Sequence, residues 1–300
     1  MSVAPAREIS SLIQPLQEGQ ALIDAIDAVV SAVDEALYLW WLGQSGFLLA
    51  WQGHRLLFDP YLSDSLTRKY ADTDKPHVRV TEIAVPPQAL TGIEVVTSTH
   101  NHTDHLDAET LLPLREANPA MQLIIPEANR SFVADRLGCA ADWPVGFDDG
   151  DSKDLGVFHI RAVAAAHEEL DCDEEGRHPY LGYIVQCGSW TVYHSGDTLR
   201  YEGMVERLRG YDIDVAILPI NGRNPARRIA GNLSGTEVAE LARDAGIPVV
   251  VPCHYEMFEF NTASPEEFAR RCRDLEIEPR VLRCGEGATF ESTQTEGPQC

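Results

Sequence analysis

The chain has 300 residues, 44% of them hydrophobic, and a formal charge of −23; that length lies between one large domain and two small ones, and the apolar content is enough for a full core, which excludes disorder as the default. The acidity repels phosphate backbones and so sets nucleic acid aside as a partner; it serves solubility, and any anionic substrate would need local positive charge at its site. The first seven residues lack a basic-then-apolar leader, no apolar run reaches bilayer length, and the seven cysteines are odd in number, dispersed and never spaced CxxC, so the expectation is a cytoplasmic protein, off the membrane, with reduced thiols.

Residues 20–33 place Leu22, Ile23, Ile26, Val29, Val30 and Val33 on one stripe with Asp24, Asp27 and Asp34 off it, which predicts an amphipathic helix. Residues 1–36 therefore read as an N-terminal helical extension packed on a domain of residues 37–300. The stripe near residue 26 suits an interface between copies as well as a core, so a homo-oligomer stays open. Residues 37–42, 47–51 and 55–58 read as short strands separated by Gly43, Gly46 and Gly53, an antiparallel meander. From about residue 78 strands alternate with helices: a strand at 94–98, a helix at 108–116 with Asp107 as its N-cap, a strand at 122–125 and a helix at 128–137. A second run of strands follows at 157–165, 181–187 and 191–194. Alternation then resumes with a strand at 215–219, a helix at 236–245, a strand at 249–252, a helix at 265–275 and a strand at 280–282. A meander followed by alternation, twice over, predicts an α/β fold: a four-layer αββα sandwich of two mixed β-sheets, in one domain.

Three of the ten histidines fall within the six residues 100–105. His100 and His102, two apart in extended chain, point the same way, and the turn into the next helix brings Asp104 and His105 round. Imidazole with carboxylate suits zinc, manganese or iron rather than calcium or magnesium. Further ligands must come from elsewhere, and His167, Asp197 and His254 each follow an apolar strand, where loops converge on one edge of the sheets.

The order H-x-H-x-D-H, a strand-end His, S-G-D and a late His resembles the metallo-β-lactamase superfamily over roughly residues 38–290. The resemblance implies that His100, His102 and His167 hold one divalent metal ion, that Asp104, His105 and His254 hold a second, and that Asp197 bridges them. It also implies that Asp59, in Leu-Leu-Phe-Asp-Pro, orients ligands from behind them. Within the superfamily, the stretches 41–47, 102–107, 193–198 and 219–223 look like the L-ascorbate-6-phosphate lactonase group, which implies a cytoplasmic, manganese-dependent opening of a phosphorylated sugar-derived lactone. The superfamily pattern alone does not separate manganese from zinc.

A lone histidine is usually a surface or satisfied core residue, and His54, His77, His159, His178 and His194 are read so, with His178 watched because its loop follows His167. Arg223, Arg227 and Arg228 form a basic cluster after a strand end, and a guanidinium fork suits phosphate; the plain alternative is a surface loop paired with carboxylates. Arg223, Asn221 and His178 are the expected contacts of a small-molecule substrate. Cys253 reads as a small buried residue, and residues 168–175 as a solvated acidic loop. Two divalent ions against Asp104 and Asp197 would leave a positive site on a negative protein, able to activate water against an ester or lactone carbonyl. Asp104 and His254 are the residues read as catalytic, Asp104 serving as general base where one ion binds. The alternatives are phosphodiester hydrolysis on RNA or phospholipid and, less well supported, a redox or non-catalytic metal protein; redox members of the fold carry Glu where His102 stands.

Overall fold

The computed structural model describes residues 12–32, 34–228 and 230–291; Val33, residues 1–11 of the predicted extension and Cys300 lie outside them. The extension's helix forms as α1 (Gly19–Ala32), and Leu22 and Ile26 are buried in the common core. Its stripe is therefore used within the chain. The meander follows as β1 (Leu37–Gly43), β2 (Gly46–Trp51) and β3 (His54–Phe58). Every residue of β2 is buried, since both faces of the sheet are covered. After the short helix α2 (Ser65–Lys69) come β4 (Val95–Thr97), α3 (Ala108–Ala117), β5 (Gln122–Pro126), α4 (Arg130–Leu137) and β6 (Val145–Phe147).

The second half repeats the plan. A meander of β7 (Ser152–Leu155), β8 (Phe158–Ala164), β9 (Leu181–Cys187) and β10 (Trp190–His194) leads through α5 (Met204–Arg209) to β11 (Val215–Pro219), α6 (Gly235–Ala245), β12 (Val249–Cys253), α7 (Pro265–Asp274) and β13 (Glu278–Pro279). The last strand, β14 (Gly287–Phe290), crosses back to pair with β1. Two seven-stranded sheets result, ordered β14-β1-β2-β3-β4-β5-β6 and β13-β12-β11-β10-β9-β8-β7. In each, an antiparallel meander gives way to three parallel pairings: β3 to β6 in the first, β10 to β13 in the second. The helices lie outside and add apolar faces to one continuous core, with Leu111, Leu114, Val133, Val238, Leu241 and Phe268 all buried in it. The predicted αββα sandwich of two mixed sheets is the observed fold.

Local departures have local causes. Residues 280–282 are not a strand; pairing with β12 ends at Pro279, and Arg280 keeps only a single bond to the Val250 carbonyl. Asp107 stands at the N-cap of α3, but its carboxylate accepts the Thr110 hydroxyl at 2.6 Å instead of a helix N–H. By contrast Ser234 and Glu237 close a full capping box on α6. The described cysteines are all free thiols, and among the described residues no helix is long and apolar enough to cross a membrane.

Candidate metal centre

All the candidate ligands emerge where strands end on one edge of the two sheets. The loop after β4 carries His100 to His105, the chain after β8 reaches His167, the turn after β10 delivers Asp197, and His254 follows β12 directly. Three groups of donor atoms lie within 4.8 Å of one another: His100, His102 and His167; His100, His105 and Asp197; Asp104, His105 and His254. Asp197 faces both ends of the cluster. Its Oδ1 is 3.3 Å from His105 Nε2, and its Oδ2 is 3.3 Å from His254 Nε2 and 4.0 Å from His167 Nε2. The seven residues singled out from sequence are thus brought together.

The protein holds these donors ready for a cation. Burial, followed by the neighbouring imidazoles of His105 and His102, keeps His100 well below the usual histidine pKa. Burial lowers His102 as well, and pushes His167 down to about 4. These imidazoles are neutral at pH 7 and have lone pairs to give. Burial also works against a charge on His105, yet the carboxylates of Asp197 and Asp104 outweigh it and hold this imidazole well above its ordinary value. The carboxyls respond in kind: burial raises them, but His105 and His254 draw Asp104 below, and Asp197 well below, the usual range. A proton on His105 therefore supplies the positive charge that two buried carboxylates demand. Nε2 of His100 is buried with no hydrogen-bond partner, a deficit that a divalent cation beside it removes. Neutral imidazoles, ionised carboxylates and an unpaired buried donor together fit a transition-metal centre.

Asp59 lies behind this layer. Completely buried and with φ at +37°, it accepts bonds at Oδ1 from the Thr97 hydroxyl at 2.8 Å and the Thr99 N–H at 3.1 Å, and at Oδ2 from the Thr99 hydroxyl and from His105 Nδ1 at 2.7 Å. Its contact with Nδ1 leaves Nε2 of His105 aimed at the cluster. His194, read as structural, is buried flat on Phe58 at 5.0 Å, with Nε2 against the Ser45 carbonyl at 3.0 Å.

A cavity of about 610 Å³ opens over the centre. Its floor holds His102, Asp104, His167, Asp197 and His254, with Asn221 and Asn232 beside them; Tyr70, His77, Phe258 and Phe260 form an aromatic wall; and Lys69, Lys75, Arg136, Arg227 and Arg228 stand around it. Asn221 lines the cavity, its amide donating to Asn261 Oδ1 at 3.0 Å. Arg223 and His178, expected from sequence as substrate contacts, do not line it. Arg223 pairs with Glu237 at the start of α6, away from the cavity, while His178 turns to Asp148, which accepts its backbone N–H at 2.9 Å. From the same loop it is Tyr180 that meets the cluster, with its ring 5.4 Å from His100 and 5.3 Å from His167. Sequence reading also missed His77, stacked on Tyr70 at 4.2 Å; the 65–78 segment that brings both to the cavity shows no periodic pattern to betray its position.

The comparisons with known proteins agree with this architecture. The family model described as "Beta-lactamase superfamily domain" matches residues 54–255. A "UPF0173 metal-dependent hydrolase" of Rubrobacter xylanophilus is 29% identical over 256 residues, covering 82% of this chain and 93% of that protein. Among solved structures, Igni18 from Ignicoccus hospitalis, described as a novel metallo hydrolase, superposes with a TM-score of 0.63 at 22% identity over 86% of this chain and all of its own. An isothiocyanate hydrolase from Delia radicum gut bacteria gives 0.67 at 18% identity over 85% of this chain and all of its own; these two likenesses speak to the fold. With a family model spanning more than half its length, over a cluster of the matching ligand order, this chain belongs to the metallo-β-lactamase superfamily.

Proposed function

We propose that this protein is a metal-dependent hydrolase that opens a small anionic lactone or ester, best matched by a phosphorylated, sugar-derived lactone. The observation that carries the reading is the contrast between the cavity and the rest of the molecule. On a chain of net charge −23, the cavity that meets the ligand cluster has, among the described residues, five basic side chains around it, and outside the ligand cluster Asp74 is its one carboxylate. That local field favours a substrate with a negative group held away from the reacting carbonyl. Asn221 and Arg227 are held in place, since Arg227 donates to the Asn221 carbonyl at 2.6 Å and to the Thr262 carbonyl at 2.9 Å. Arg228, paired with Asp74 at 2.5 Å on the rim, takes the role that the sequence suggested for Arg223.

His100, His102 and His167 would hold one divalent ion, Asp104, His105 and His254 a second, with Asp197 shared. Such ions supply Lewis-acid polarisation of a carbonyl and make water acidic enough to attack at neutral pH. Asp104, kept ionised by His105 and His254, accepts the proton of the attacking water where the second position is unfilled, and returns it to the departing alkoxide. The aromatic wall excludes bulk water from the substrate's apolar side. Manganese and zinc are both compatible with this mixed nitrogen and oxygen set, and iron is a third option.

The test is a panel of lactones, esters and phosphodiesters with manganese, zinc and iron added separately to metal-free protein. Turnover is expected on phosphorylated lactones, and Arg228→Ala with Lys69→Ala should raise KM for them by about tenfold or more while leaving unphosphorylated analogues nearly unchanged. Equal loss on both kinds of substrate would remove the anion-binding role; turnover confined to phosphodiesters would replace the lactone reading altogether.

A further inference from the structure

We propose that the Gln44 carboxamide is a further protein ligand, through Oε1, for the cation held by Asp104, His105 and His254 with Asp197 shared. The inference rests on the metal-centre reading of that group and adds a residue outside the seven that the ligand order identifies. Gln44 lies in the tight turn between β1 and β2, on a different stretch of chain from every other ligand.

Several independent features place its side chain at the centre. The residue is completely buried, and its φ of +51° is a left-handed conformation that a residue with a Cβ adopts at a cost. Asp59 at +37° and His254 at +63° share that conformation, and such strain gathers where a site fixes the chain. Its backbone carbonyl accepts the Trp41 indole N–H and the backbone N–H of His254, both at 3.0 Å. The turn is therefore tied directly to the strand end that delivers His254. At the far end of the side chain, Nε2 lies 2.7 Å from Asp104 Oδ2 and 3.0 Å from His254 Nε2. Those two atoms are 3.6 Å from each other, and Asp104 Oδ2 is 3.8 Å from His105 Nε2.

These separations, from 2.7 to 3.8 Å, bracket the edge of a coordination polyhedron. Donors about 2.1 Å from one transition-metal ion stand roughly 3.0 to 3.4 Å apart along an octahedral or tetrahedral edge. The amide end of Gln44 thus stands beside two of the three donors of the group, Asp104 and His254. A half-turn about the last side-chain bond exchanges its nitrogen for its oxygen at little change in shape. With nitrogen inward, two N–H groups face Asp104 and His254 in place of a cation, and Oε1 is left buried without a partner. A cation between those same donors draws the oxygen inward and relieves that deficit. The ligand so gained is neutral and does not titrate, which completes the site without adding a third carboxylate to Asp104 and Asp197.

The experiment compares full-length wild type, Gln44→Leu and Gln44→Glu. Each is stripped with chelator, checked for folding by circular dichroism and titrated with manganese or zinc against a chromophoric competitor, so that the affinity of each ion is read without any assay of activity. Gln44→Leu should weaken the second ion by at least about tenfold and leave the first unchanged. Gln44→Glu keeps an oxygen at the same reach but has no N–H, so it should hold the second ion at least as tightly as wild type. Should Gln44→Leu fail to fold, Gln44→Asn, which withdraws the amide by one carbon, carries the same expectation. A Glu variant that loses the second ion as the Leu variant does would overturn the proposal and make Gln44 a hydrogen-bond donor to Asp104. So would two variants that both bind like wild type. A wild-type protein that takes up one ion only would instead sink the two-ion reading on which the proposal stands.

Discussion

Replacing Asp59 by Asn keeps the shape of a completely buried side chain and removes its charge and one acceptor oxygen. In the native protein Oδ2 takes the His105 Nδ1–H at 2.7 Å together with the Thr99 hydroxyl, while Oδ1 takes the Thr97 hydroxyl and the Thr99 N–H. An Asn side chain can serve only one of these two edges with its oxygen. If the oxygen stays with Thr97 and Thr99, the amide N–H groups face His105 Nδ1, which must then give up its proton and carry it on Nε2. That is the atom expected to bind metal. Loss of such an orienting carboxylate costs about 10- to 100-fold in metal affinity, equivalent to about 1.4 to 2.8 kcal/mol. The loss should fall on the ion of Asp104, His105 and His254. The group of His100, His102 and His167 does not bond to the Asp59 carboxylate and should keep its ion. Elemental analysis after dialysis against buffered free zinc or manganese reads this as a fall from two ions to one over a defined range of metal concentration. Equal weakening of both ions, or no weakening at all, would refute the argument that Asp59 acts through the His105 tautomer.

Much of this centre was legible in the sequence because its ligands are local or stand at strand ends. His100, His102, Asp104 and His105 share one loop, and His167, Asp197 and His254 each close an apolar run whose burial is plain from composition. The two meanders and the βα alternations were legible for the same reason, since period-2 and period-3.6 patterns are properties of neighbouring residues. What failed was whatever depends on packing between distant segments. Arg223 and Arg228 look alike in sequence; only the path of the chain after Asn224 sends one to Glu237 and the other to the rim of the cavity. His77 and Tyr70 come from a stretch with no periodicity; His77 takes its place on the wall through ring contacts with Phe258 and Phe260, far along the chain, and Tyr70 stacks on His77. Gln44 lies in the 41–47 stretch that carried the family resemblance, yet nothing there marked it as a ligand, because glutamine in a glycine-flanked turn is an ordinary surface residue. Its meaning lies in a bond to Asp104, 60 positions on.

Further outcomes follow from the same geometry. Ser234→Ala removes the capping box of α6 and should cost about 1 kcal/mol in thermal or urea unfolding with metal content unchanged, a control for mutations at the centre. Gly196→Ala is the opposite case: at φ +60° its new Cβ would lie 2.6 Å from Thr99 Cβ and Oγ1, so both the Asp197 turn and the Thr99 bond to Asp59 must shift, and metal retention should fall along with melting temperature. Loading should also release protons. His105 carries a proton in the metal-free protein at pH 7 because its pKa is raised, whereas His100 and His167 are already neutral because theirs are lowered. Filling the second position should then expel close to one proton, and filling the first nearly none, as measured calorimetrically in buffers of different ionisation enthalpy. The sign for stability is fixed by the same shift. A raised pKa on His105 stabilises the metal-free fold fully below the unfolded histidine value, and this contribution is lost as pH rises through the folded value. Asp104 and Asp197, whose values are lowered, stabilise it above the unfolded carboxylate range and lose that effect as pH falls through their folded values. Metal-free protein should therefore lose melting temperature from neutral pH upward, while metal-loaded protein, in which cations replace the His105 proton, should not. Parallel declines in the two forms would show that His105 does not carry the balancing charge, and with it would go the view that this cluster is built around a cation.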